Sequence, residues 1–177
     1  MLILFSVPRI LIVFSLMMPC LVLQAEDNLH FSGTLVAEPC TVHPDDETID
    51  LDFGNVVDKY LYINQRTIGK AFAIRLLECD ISLGELVEIT LQGVESSKLP
   101  GLFALNAGSE AQGVAIGIES VSGESVAVNQ AYRRKLIKGG NSFNLQAYVR
   151  AEPDAIKNRM IRLGSFSAVS TFLIDYP

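Results

Sequence analysis

From residue 29 onward, apolar and polar positions alternate with a period of two far more often than they recur at helical spacing, which predicts strands over most of the chain. Leu29, Phe31, Gly33 and Leu35 alternate with His30, Ser32 and Thr34 in an extended segment whose apolar row has a gap at Gly33. Residues 49–53 form a short alternating strand, with Asp50 and Asp52 interleaved and Gly54 as its stop. Residues 71–79 place Phe72, Ile74 and Leu76 on one face, and residues 86–91 do the same with Val87, Ile89 and Leu91. Further strands are expected at 113–121, where Val114, Ile116 and Ile118 alternate with Ala115, Gly117 and Glu119, and at 142–150, which alternates most regularly of all. The closing stretch, 164–177, reads as a terminal strand with Phe172, Ile174 and Tyr176 on one face and Thr171 and Asp175 on the other.

The intervening segments carry turn chemistry or no clear period. Residues 55–69 allow short helical turns, 99–101 (Leu-Pro-Gly) is a turn, and 106–112 is small and polar. Residues 122–140 are ambiguous, and their basic cluster, Arg133, Arg134, Lys135 and Lys138, is read as a solvated loop. Short strands at regular spacing with turns between them indicate an all-β sandwich.

The amino terminus changes the setting of that sandwich. Residues 2–23 carry one charge, Arg9, then an apolar run, and Leu23-Gln24-Ala25 precedes Glu26-Asp27, which is the pattern of a signal peptide over residues 1–25. A membrane anchor is the alternative, opposed by Pro19 and by the absence of a basic flank. Cleavage would remove Arg9 and no acid, moving the net charge from −6 to −7. Such an acidic chain lacks the basic face that phosphate contacts need, so no nucleic-acid partner is expected. Cleavage also removes Cys20 and leaves Cys40 and Cys79, an even pair in an oxidising compartment; a disulfide is the economical reading, with a metal site or a reactive thiol as the alternatives.

No catalytic pattern emerges. There is no G-x-S-x-G, His30 and His43 both lie near the start of the mature chain, and no glycine-rich phosphate loop is present. A pair of carboxylates suited to glycoside hydrolysis is compatible with the acid content, but solvated surface is the commoner role. The chain is expected to be neither an enzyme nor a holder of a cofactor or metal.

Several segments, in this order, resemble the pilus (fimbrial) subunits of the chaperone–usher pathway. Residues 27–35 with Pro39-Cys40-Thr41-Val42 are similar to the amino end of minor pilins of P pili and type 1 fimbriae, and 72–79 (Phe-Ala-Ile-Arg-Leu-Leu-Glu-Cys) resembles the family's second strand. Gly164, fourteen positions from the end, and the penultimate Tyr176 match the carboxyl-terminal pattern. The resemblance covers the whole mature chain. It implies an incomplete immunoglobulin-like β-sandwich lacking its last strand, completed by donor-strand complementation. On this reading residues 26–36 are a donor extension running into the first strand, with Leu29, Phe31, Gly33 and Leu35 filling a neighbour's groove. Residues 37–177 are the pilin domain, in which Gly164 opens the terminal strand and Phe172, Ile174 and Tyr176 flank the groove. The implied partners are a periplasmic pilus chaperone, an outer-membrane usher and neighbouring subunits in a head-to-tail polymer at the cell surface. The implied role is a minor, tip-fibre or adapter subunit contributing to adhesion. A major rod pilin and a free-standing secreted binding module are the alternatives.

Overall fold

The computed structural model describes residues 29–177, so the signal-peptide expectation for residues 1–25 lies outside the described residues. The chain divides into two units at Leu35 and Val36. In the first, residues 29–35 form no strand, and Leu29, Phe31 and Leu35 are 68%, 83% and 101% exposed. The alternation of this segment therefore satisfies nothing in its own unit.

The second unit holds the regular structure. A two-residue strand, β1 (Thr41–Val42), leads to a 3-10 turn at Pro44–Asp46, and helix α1 (Asp58–Asn64) precedes β2 (Lys70–Cys79). Then come β3 (Leu86–Gln92), β4 (Val114–Ser120), β5 (Ala131–Lys135), β6 (Gly139–Ala151), helix α2 (Pro153–Asn158) and β7 (Thr171–Asp175). All pairings are antiparallel, in two sheets of order β1-β2-β6-β4 and β5-β3-β7.

Register decides which side chains meet. Phe72 lies opposite Leu145 and Ile74 opposite Phe143 in one sheet, while Leu91 lies opposite Phe172 and Ile89 opposite Ile174 in the other. Because side chains alternate along each strand, these pairs turn their apolar rows into the space between the sheets. Ile74, Leu76, Val87, Ile89 and Leu145 are buried there, as expected from the sequence. Cys40 and Cys79 are buried and disulfide-bonded, which settles the pairing. Across a separation of 39 residues, such a link stabilises the fold by roughly 4 kcal/mol on the chain-entropy account.

Several expectations need correction. Residues 49–53 alternate in burial but belong to no strand, because no backbone among the described residues pairs with them. The basic residues Arg133, Arg134 and Lys135 lie in the edge strand β5, not in a loop. Arg133 pairs with Glu88 and Arg134 lies 4.9 Å over the Tyr132 ring, so their charges line an edge that would otherwise invite pairing. Strand β4 is buried on both faces instead of one. A Cβ on Gly117 would sit 2.3 Å from the Tyr148 ring, so glycine lets that ring lie flat on the strand with Leu99, Leu102 and Ala115. The terminal strand begins at Thr171, well after Gly164. The connection at 154–158 is part of helix α2.

Two buried carboxylates brace this unit. Asp46 accepts hydrogen bonds from the Arg75 backbone N–H (2.8 Å), Nε (2.8 Å) and Nη2 (2.6 Å), which ties the turn after β1 to the middle of β2. Glu119 takes both Arg66 Nη atoms (2.8 and 2.5 Å) and Gln146 Nε2 (2.8 Å), while the Arg66 guanidinium stacks 3.6 Å from the Tyr148 ring. The hydrogen bonds from Arg75 and Arg66 hold the two carboxyls below their ordinary range, against the opposing effect of burial. A carboxylate whose folded pKa is depressed contributes stability that is complete above its unfolded value and is lost as pH falls through the folded value. Stability should therefore hold at neutral pH and fall below about pH 4. Asp46→Asn should cost about 2 kcal/mol at pH 7 and flatten the acid limb of a pH–stability curve measured by urea unfolding. An unchanged acid limb would remove Asp46 from this account.

Candidate functional site: an open groove with two unpaired walls

The alternations at 49–53 and 166–172 converge on one feature. Ile49, Leu51 and Phe53 project from one wall and Phe166, Ala168 and Phe172 from the other, each half-buried against the core. Between them an open groove of about 600 Å³ reaches down to Ile74, Leu91, Ile116 and Ile118. The Phe53 and Phe166 rings, 6.1 Å apart, bring the walls together at one point.

Backbone accounting explains why this groove is open. β7 is the edge of its sheet, with β3 on one side and no strand on the other among the described residues. Residues 48–53 make no backbone–backbone hydrogen bond among the described residues. Their wall is held near its ends, by Asp46 on Arg75 and by Lys70 Nζ donating to the Asp52 carbonyl. Unpaired N–H and C=O groups beside exposed apolar side chains suit one kind of occupant: an extended segment that supplies backbone hydrogen bonds to the walls and alternate side chains to the floor.

The residues singled out from the sequence fall around this groove unevenly. Phe172 lines it. Ile174 and Tyr176 continue the same inward row against the core, and burial pushes the Tyr176 phenol up, with a smaller effect from Glu38. Gly164 stands apart: its φ is +147°, and a Cβ there would lie 2.4 Å from the Glu110 Cβ. Its role lies in packing against residues 106–112, not in opening β7. Leu29, Phe31 and Leu35 belong to the first unit and are exposed, and Gly33 has open space around the position of a Cβ. The Cys40–Cys79 bond lies in the core cluster.

Sequence reading missed the wall at 49–53 as a site element, although its Ile-x-Leu-x-Phe alternation was visible. It also missed residues 106–112, whose side chains hold residues 165–167 from behind. Among the described residues there is no group of three His, Cys, Asp or Glu side chains able to hold a metal, and no helix long and apolar enough to cross a membrane.

A two-sheet immunoglobulin-like sandwich with one strand position empty defines a class of domain whose core is completed by an extended segment. Comparison with known proteins is specific about the family. The profile described as "Fimbrial protein" matches residues 29–177. The fimbrial-like protein YfcP of Escherichia coli (strain K12) is 33% identical over 155 residues, covering 86% of this chain and 84% of its own. The fimbrial adapter PapK of Escherichia coli is 29% identical over 158 residues, covering 84% and 87%. A subunit in the solved structure of a chaperone–usher pilus superposes with a TM-score of 0.67 at 22% identity, covering 87% of this chain and 97% of that one. The chain belongs to the fimbrial protein family, the pilus subunits that its sequence resembles.

An open apolar groove binds hydrophobic dyes, and a charge placed in it should prevent this. Ala168→Arg should reduce 8-anilinonaphthalene sulfonate fluorescence several-fold relative to the parent chain, because the guanidinium would lie among Ile74, Leu91 and Ile118. Leu173→Arg, on the outward face of β7, should leave the signal unchanged. Equal loss in both variants would argue that the dye binds elsewhere.

Proposed function

We propose that the chain is a structural subunit of a chaperone–usher pilus that polymerises by donor-strand exchange. The observation that carries this is a match between a groove and an extension. The groove wall from residue 166 to 172 and the row from residue 29 to 35 each span about 20 Å in extended form. One lacks a strand and the other lacks a partner. Seating Leu29, Phe31 and Leu35 on a neighbour's groove floor would remove three exposed apolar side chains from water, worth about 2 kcal/mol each. Gly33 would let the donor backbone lie close to the acceptor, and Phe172, Ile174 and Tyr176 would form the flanking strand.

Donor at one end and acceptor at the other gives a head-to-tail contact, which grows a filament instead of closing a dimer. Until a neighbour arrives, an empty groove is an aggregation hazard, so a periplasmic chaperone supplies the strand and an outer-membrane usher exchanges it. Residues 1–25 direct the chain to the periplasm, residues 26–36 act as donor, and residues 37–177 form the acceptor domain. The family consists of structural fimbrial proteins, and this chain acts without catalysis.

Similarity to the adapter PapK supports a minor, tip-fibre or adapter role in an adhesive fibre over that of rod subunit. The exposure of Leu29, Phe31 and Leu35 weighs against a free-standing module in which they form its own first strand. Deleting residues 26–34 should leave binding to the chaperone intact and abolish the ability to complete a neighbour's groove, read as loss of subunit–subunit complexes after co-expression. If complexes of normal stability persist, the donor assignment is wrong.

A further inference from the structure

We infer that residues 106–112 form a clasp that finishes one edge of the groove wall and thereby dictates how an incoming strand pairs with the other. This rests on reading the groove as a strand acceptor. Side-chain burial alternates along the wall, with Phe166 and Ala168 half-buried and Ser165 and Ser167 exposed. In extended backbone the N–H and C=O of one residue point to the same edge, and those of its neighbours point to the opposite edge.

Ser165 and Ser167 are fully engaged by the clasp. Ser165 N donates to Glu110 Oε2 (3.2 Å), and its carbonyl accepts from the Glu110 and Ala111 amides (2.8 and 3.1 Å). Ser167 N donates to Ser109 Oγ (3.1 Å), and its carbonyl accepts from Asn106 N (2.8 Å) and Ser109 Oγ (3.3 Å). The backbone groups of Phe166 and Ala168 form no hydrogen bond among the described residues. They face the groove.

The terminal wall is thus half a ladder that begins well before β7. Two of its four strand-like hydrogen-bond positions on the clasped edge are supplied by side chains, Glu110 and Ser109, in place of a backbone partner. Ahead of β7, Phe166 and Ala168 are left to pair with the occupant, so the parity of its register is set there, and a slip of one residue would turn its apolar side chains away from the floor. Gly164 belongs to the same device, because any side chain there would strike Glu110 and push the clasp off. Glu110 and Ser109 are positioning residues for strand acceptance.

The test uses the full mature chain with a synthetic peptide of residues 27–37, followed by amide hydrogen exchange and by peptide release. Ser165 and Ser167 amides should be protected with or without peptide, and Phe166 and Ala168 only with it. Glu110→Ala and Ser109→Ala should each raise exchange at Ser165 or Ser167, respectively, and speed peptide release by about tenfold, the loss of roughly one charge-assisted or two neutral hydrogen bonds. Exchange in β2 and β6 should not change. Glu110→Gln, which keeps an oxygen acceptor, should release peptide at nearly the parental rate. Unaltered release from Glu110→Ala, or equal protection at all four residues without peptide, overturns the clasp. Should Glu110→Ala not fold, Ser109→Ala alone decides by the same readouts at Ser167. Failure of the parent chain to bind peptide at all sinks the groove reading, whereas the protection of Ser165 and Ser167 reports on the clasp separately.

Discussion

Backbone hydrogen bonding along two facing edges governs this structure. An extended segment carries polar groups on both edges, and each must be paired or left to water. Among the described residues, β7 pairs with β3 on one edge only, and residues 48–53 make no backbone–backbone hydrogen bond. Both stand over apolar side chains that a closed sandwich would bury. The core, the clasp at 106–112 and the charged strand β5 can be understood as the surroundings that hold this one unfilled position open and steer pairing toward it.

The two walls are held by different chemistry. The wall before β7 is gripped at Ser165 and Ser167 by Asn106, Ser109 and Glu110, whereas the opposite wall is anchored at Asp46 and near Asp52 and left without backbone partners among the described residues between them. An ion pair at the entrance of that second wall fixes where it starts without constraining its middle. The arrangement combines a set edge with a looser one. At the far edge of the same sheet, Arg133 and Arg134 cover β5 with charge, so the sheet offers extension on one side.

How much of this was legible in the sequence depended on whether a segment's neighbours lay within the same pattern. β2, β3 and the first half of β6 could be read because one face of each is more deeply buried than the other, and period two reports that asymmetry directly. β4 obeyed the same alternation but is buried on both faces, since Tyr148, Arg66 and the turn around Leu99 cover its outer side; no local rule anticipates cover arriving from three other segments. β5 was misread because Arg133, Arg134 and Lys135 are ordinary loop composition and become strand residues only through pairing with β3. The groove's residues were visible as alternating rows at both ends of the chain. The hydrogen bonds from Glu110 and Ser109 were not, because a short run of small polar residues looks the same whether it is solvated or consumed by a distant strand.

The position of the disulfide has a mechanical meaning. β1 has only two residues, and alone it could be peeled from β2 one pair at a time. Cys40 immediately precedes β1 and is bonded to Cys79 at the end of β2. Tension applied through residues 29–35 enters the folded unit at Cys40 and crosses the covalent bond directly into β2, bypassing β1. There it meets a strand paired with β6 across Lys70 to Leu76, an unbroken run of register where several hydrogen bonds must yield together. A thread pulled from this end loads the centre of a sheet in shear, and the fold resists as a block.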